Sequence, residues 1–235
     1  MKKHLTCRCL LGLTAVVVSS SLLASSLNND RTPFYVAAKV GVFQASFNST
    51  YLDLTDVIQQ NIAQSFQQNG YTEGLAIGFS KLFYQQYLLG LELAGSYDSH
   101  NANFQAGAST AAFSDNVRVR SHFDLTVVPG LMLNDATAIY LKLGVSRAAI
   151  QDTLVSPTGF APTNVRLTND TNANGFVAGL GFERSIIKNV SVFVEGNYRD
   201  YGTVNFGAFQ NFTATYTNSS HIYTYDASLG AAYHF

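Results

Sequence analysis

Three residues in the middle of the chain have the types and spacing of a nucleophilic site. His122 and Asp124 are two apart in an alternating segment and so share one face of a strand; an antiparallel turn at Asn134-Asp135 brings Ser146 opposite Asp124. A serine, a histidine and an aspartate in mutual reach can serve as nucleophile, general base and orienting acid. Ser219 and His221 form a second serine/histidine pair with the same spacing and no obvious acidic neighbour. Both sets have a plainer reading, as polar groups on the sheltered face of a sheet and as hydroxyl-rich loop residues. His100, His122, His221 and His234 are the histidines that follow the first 26 residues. No two have ligand spacing and no DxDxDG-type acidic cluster occurs, so no metal or cofactor is expected. Asn-x-Ser/Thr sequons at Asn48, Asn169, Asn189, Asn211 and Asn218 are what Asn-, Ser- and Thr-rich loops produce by chance.

The elements that must position these residues follow from composition. Of 235 residues, 47% are hydrophobic and 12% charged, the latter about half the share of an ordinary soluble domain. Residues 1–26 have the three regions of a secretory signal peptide: Lys2, Lys3, His4 and Arg8, then the apolar run CLLGLTAVVV, then SSSLLASS, with cleavage expected near Ala24 to Ser26. Both cysteines, Cys7 and Cys9, fall inside it, so the exported chain would hold no disulfide or cysteine metal site, and Cys9 precedes the apolar run, which argues against a lipid anchor. Removing Lys2, Lys3 and Arg8 leaves 11 basic against 15 acidic side chains, so a polyanion-binding role has no support from net charge. No apolar run reaches the roughly 20 residues of a spanning helix. A membrane location would therefore require strands.

Alternation of period two recurs near residues 34–47, 73–84, 86–98, 116–132, 137–150, 174–186, 189–202 and 222–235. The intervals between these eight segments are alternately long and polar, then reduced to tight turns such as Asn134-Asp135 and Lys188-Asn189. An even number of strands with long loops at one end and short turns at the other predicts an all-β, eight-stranded, antiparallel up-and-down transmembrane barrel. Residues 27–235 would form this single domain.

One parity along each segment is apolar: Phe34, Val36, Ala38, Val40 and Val42; Tyr87, Leu89, Leu91 and Leu93; Ile139, Leu141, Leu143 and Val145. A soluble barrel alternates in the same way, so the charges must decide which face points outward. The opposite parity carries Lys39, Glu92, Arg118, Arg120, Asp124, Lys142, Glu183, Glu195, Arg199 and Asp226, which predicts a lumen network of five bases and five acids. Charges on the apolar parity, Lys81, Arg147, Arg184 and Asp200, lie near strand ends, where bilayer headgroups tolerate them. Eight strands enclose a space that side chains can fill, so the lumen is expected to be plugged and ion-paired. Gly90, Gly144, Gly179, Gly181 and Gly230 would make room in it. Phe34, Phe83, Tyr87, Tyr97, Phe176, Tyr198, Tyr223 and Tyr233 would form interfacial girdles. Leu54, Ile58, Ile62 and Phe66 recur at helical spacing and predict a short surface helix in the first loop.

The terminal pattern Leu229-x-Ala231-x-Tyr233-x-Phe235, the segment VEGNYRDYG at residues 194–202 and the loop rhythm resemble the OmpA/OmpX/Opa-type small outer-membrane barrels. The resemblance covers residues 33–235 and leaves no segment for the periplasmic domain of full-length OmpA relatives, so cell-wall tethering is not implied. It implies that Leu229, Ala231, Tyr233 and Phe235 form the signal read by the barrel-insertion machinery. Outer-membrane lipid and lipopolysaccharide are implied neighbours, with a possible host or cell-surface ligand at the loops and no nucleic acid. Because the class includes lipid A modifying enzymes, Ser219 and His221 also have the serine/histidine spacing of a barrel deacylase. The expectation is a non-enzymatic surface protein of a Gram-negative outer membrane, structural or adhesin-like. A small channel, a lipid A enzyme and a soluble secreted barrel are the alternatives.

Overall fold

A computed structural model of the chain describes residues 33–53, 60–100, 104–106, 113–155, 166–211 and 214–235. The signal segment, with Leu54 and Ile58, lies outside them. Among the described residues there are nine strands: β1 (Phe34–Asp53), β2 (Gln60–Phe83), β3 (Tyr87–His100), β4 (Phe104–Ala106), β5 (Phe113–Asn134), β6 (Thr137–Val155), β7 (Arg166–Ile187), β8 (Val190–Asn211) and β9 (Ala214–His234). All pair antiparallel, and the β3–β5 and β1–β9 pairings close eight of them into a ring; β4 is a short addition to β5. The eight-stranded barrel expected from alternation is the observed fold.

Its outer surface is a continuous apolar belt. Val36, Val40 and Val42 on β1, Leu89, Leu91 and Leu93 on β3, Leu141, Leu143 and Val145 on β6, and Leu229 on β9 are all exposed. Water would not sustain such a surface, whereas hydrocarbon tails cover it at no cost. The girdle aromatics lie along its margins, with Tyr198 meeting Phe176, Tyr223 and Tyr225 edge-on or tilted. No helix among the described residues is long and apolar enough to cross a membrane.

Short turns join β2 to β3, β5 to β6 and β7 to β8. In the first, Tyr84 (φ 50°) and Gln85 (φ 57°) both occupy the left-handed region and the Gln86 amide donates to the Phe83 carbonyl at 3.1 Å, a turn of primed type. In the second, the Asn134 carboxamide oxygen accepts the Ala136 amide at 3.0 Å.

At the opposite end the strands outrun the sequence reading. β1 and β2 stay paired to Asp53↔Gln60 and β6 and β7 to Val155↔Arg166, so most of the expected long loops are ladder. Among the described residues the predicted helix gives way to strand: Ile62 and Phe66 lie in β2, and Phe66 stacks on Phe47 at 4.9 Å. A strand of about 22 residues at roughly 3.3 Å per residue and a tilt of about 40° climbs about 55 Å, roughly twice the apolar band of a bilayer. The outer half of the barrel therefore stands in water.

The wall also divides there. β2 leaves β3 above Gly70↔His100, β3 leaves β5 above Tyr97↔Ser121, and the β7–β8 pairing ends at Phe176↔Asp200. Two ribbons result, β2-β1-β9-β8 and β5-β6-β7. They pack face to face through Phe43, Phe47, Val204, Phe206 and Ile222 on one side and Val117, Val119, Ala148, Ile150 and Ala173 on the other. Each fork is bridged by one side-chain carboxamide: Gln68 Nε2 donates to the Val117 carbonyl at 2.6 Å, and Asn169 Nδ2 donates to the Phe206 carbonyl.

Candidate functional site

The interior inside the apolar belt is the place where charged residues converge. β1, β3, β6 and β8 each turn one charged side chain into a common layer, because burial of every second residue leaves them no other polar environment. Lys39 Nζ lies 2.7 Å from Glu195 Oε1, and Lys142 Nζ lies 2.8 Å from Glu92 Oε1 while also bonding Glu195. Tyr35 donates its hydroxyl to Glu92 at 2.7 Å, so the layer is closed toward the amino-terminal end as well.

A second layer sits above it. Arg199, fully buried, donates to Asp124 through Nε and Nη2, the latter at 2.7 Å to Oδ2, and through Nη1 to Asp226. Asn197 links the two layers, donating to Asp226 at 3.0 Å and Glu195 at 3.2 Å. His122 Nδ1 donates to Asp98 Oδ2 at 2.9 Å, an acid that the sequence reading did not assign to the lumen. Paired buried charges of this kind are satisfied by one another and have little capacity left for a ligand.

Glycines on the same face accommodate rings from the neighbouring strand. A Cβ on Gly181 would lie 2.2 Å from the Tyr140 ring, and one on Gly230 would lie 2.2 Å from Phe193. Gly181 and Gly230 thus make room for rings of the adjacent strand and not for long partners across the lumen, whereas a Cβ on Gly90 or Gly144 would meet a backbone carbonyl oxygen of the adjacent strand and one on Gly179 the Asn197 carboxamide. Between the rings, a cavity of about 30 Å³ remains, lined in part by Tyr35, Glu92, Tyr140 and His234.

Of the ten residues expected in the lumen, Lys39, Glu92, Asp124, Lys142, Glu195, Arg199 and Asp226 are buried there. Glu183 stands at the inner mouth, 3.2 Å from His234 Nε2. Arg118 and Arg120 are corrections. β5 carries a bulge between Val119 and Ser121 that leaves Arg120 without a register partner and resets the alternation. Val117 and Val119 face inward above it, His122 and Asp124 face inward below it, and both arginines point outward. β8 is shifted in the same way between Asp200 and Thr203, where Gly202 adopts φ +64°, so that Arg199 and then Val204 and Phe206 all face inward. The outer part of the interior is accordingly lined mainly by apolar side chains, with Gln68 and Asp152 buried among them, which the expectation of an ion-paired lumen did not include.

Asp124 and Ser146 are register partners, as the turn predicted. His122 Nε2 lies 3.8 Å from Asp124 Oδ2, and each member of the trio is also held by a further group: Asp124 by Arg199, His122 by Asp98, and Ser146 by the Tyr201 hydroxyl at 3.1 Å. On the outer rim, Asp200 Oδ1 lies 3.4 Å from His221 Nε2 and supplies the acid that the sequence did not reveal. Among the described contacts, Ser219 makes no hydrogen bond to His221. Leu229, Ala231, Tyr233 and Phe235 share the outward face of β9 and the carboxyl terminus, with the Tyr233 and Phe235 rings 5.4 Å apart.

No family model matches the chain. It is 29% identical over 218 residues to a protein of Coxiella burnetii (strain RSA 493 / Nine Mile phase I) described only as an uncharacterized protein, covering 86% of this chain and 83% of that one. It is 29% identical over 89 residues to outer membrane protein P1 of the same strain, covering 38% of this chain and 33% of that one. The crystal structure of the outer membrane protein OprG from Pseudomonas aeruginosa superimposes with a TM-score of 0.52 at 11% identity, covering 90% of this chain and all of that one (100%). The likeness to OprG is one of fold. With the apolar belt, it makes the chain a small eight-stranded barrel of the bacterial outer membrane.

Proposed function

We propose that this protein is a non-enzymatic surface protein, structural or adhesin-like, that acts through the half of its barrel standing above the bilayer. The observation that carries the reading is the double closure of the interior. The ionic layers around Glu195 and Arg199 are roofed by the apolar cluster of Phe43, Phe47, Phe206 and Ile222. An ion entering such a lumen would have to shed its hydration against hydrocarbon before reaching the layers around Glu195 and Arg199. What remains accessible is the polar outer face of two ribbons, a rigid platform on which the connecting segments are displayed. The terminal Leu229, Ala231, Tyr233 and Phe235 are proposed as the signal for the insertion machinery.

Two measurements test the reading. Purified protein in planar bilayers should give no discrete conductance steps, and display on a non-adherent Gram-negative host should confer binding to host cells or to neighbouring bacteria. Discrete steps that vanish in Lys142→Met would favour a channel. The Asp200–His221 contact favours a second reading, a lipid A modifying enzyme; mass spectra of lipid A that differ between cells expressing wild type and His221→Ala would establish it.

A further inference from the structure

The outward-facing positive charges of the outer rim among the described residues gather on one seam. Arg147 is exposed on β6 directly above Val145 and pairs in register with Phe123 and Asn174. Arg120 is exposed at the β5 bulge, between the Val119↔Ile150 and Ser121↔Ala149 pairs. Arg118 stands one step higher, opposite Gln151, and donates to its carboxamide oxygen. Among the residues whose side chains are described, the other charged groups of that rim are the acids Glu73 on β2, Asp170 on β7 and Asp200 on β8, with His221 beside Asp200. Asp170 is held by the Gln151 Nε2 at 2.9 Å, and no described carboxylate pairs with Arg120 or Arg147.

We propose that this seam binds the phosphate groups of a phosphorylated glycolipid in the outer leaflet. Immediately below the arginines, Phe123, Leu125, Leu143 and Val145 are 62%, 47%, 52% and 61% exposed and present a surface for acyl chains. A lipid lying on them places its headgroup where Arg147 and Arg120 project. Guanidinium groups match phosphate oxygens with paired, charge-assisted hydrogen bonds, and at the edge of hydrocarbon those bonds gain strength. The bulge acquires a purpose beyond parity. It sets Arg120 out of the ladder on the strand next to Arg147, at the level of Ala149 and Ile150, while the chain below continues to supply Asp124 to the lumen.

The test uses the full barrel, refolded in detergent, with lipopolysaccharide carrying its lipid A phosphates or stripped of them. The wild-type protein is expected to bind the phosphorylated form at least about tenfold more tightly, the scale of one lost charge-assisted contact or more. In Arg120→Gln/Arg147→Gln that preference should disappear, and in Lys81→Gln/Arg184→Gln, at the inner rim, it should persist. Equal binding of the two lipids by the wild type overturns the proposal and needs no variant to fold. An undiminished preference in a folded Arg120→Gln/Arg147→Gln barrel also overturns it. So does displacement of the lipid by inorganic phosphate or by a soluble sulfated polysaccharide at equal phosphate or sulfate concentration.

Discussion

Arg199 on β8 and Asp124 on β5, 75 residues apart in sequence, grip each other across the lumen, and immediately above each of them the strand is bulged. The pair marks the level at which the interior changes from ionic to apolar. Below the bulges each strand alternates to suit lipid outside and charge inside; above them it alternates to suit water outside and hydrocarbon inside.

Removing one member of that pair should be costly because its partner cannot escape to water. Arg199→Met takes from Asp124 and Asp226 the guanidinium that pairs with both and is expected to destabilise the barrel by about 3–5 kcal/mol. Urea unfolding in detergent, followed by the loss of heat-modifiable mobility on gels, would measure it. Adding Asp124→Leu and Asp226→Leu to the same chain should recover much of the loss.

Deleting Arg120 removes the extra residue of the β5 bulge. Either Val117 and Val119 must then turn outward or His122 and Asp124 must face lipid, since a strand cannot satisfy both halves in one phase. No stable folded band should form, whereas Arg120→Ala, which keeps the residue count, should fold normally.

The glycine–ring pairs set a packing limit. Gly181→Ala would press a methyl group onto the Tyr140 ring and Gly230→Ala one onto Phe193, each costing about 1–3 kcal/mol. Denaturation midpoints of the two variants should fall below wild type, and Tyr140→Ala in the Gly181→Ala background should lessen the clash.

The β2–β3 turn offers a change of opposite sign. Gln85 holds φ 57° without the freedom of glycine, so Gln85→Gly should stabilise the barrel by about 1 kcal/mol. A raised urea midpoint with unchanged slope would show it.

The strand number, the antiparallel ring and the lipid-facing parity were legible from sequence because burial on one face forces a period of two, and the short turns carry their own residue signatures. The same periodicity placed Lys39, Glu92, Lys142 and Glu195 inside and found the Asp124↔Ser146 register by counting through one turn. It could not place Arg118 and Arg120, because a bulge of one residue leaves no mark in composition yet reverses every side chain beyond it. Nor did it find the upper ribbons. There the exposed face is polar and the inward face is Phe43, Ala45 and Phe47, so a search for an apolar outside and a polar inside ends where the membrane ends. The pairings of Asp98 with His122 and Asp200 with His221 join residues of different strands that only the closed sheet brings side by side. Alternation is a local consequence of one strand meeting two solvents; phase, strand length and cross-lumen partners are set by how eight strands pack against one another.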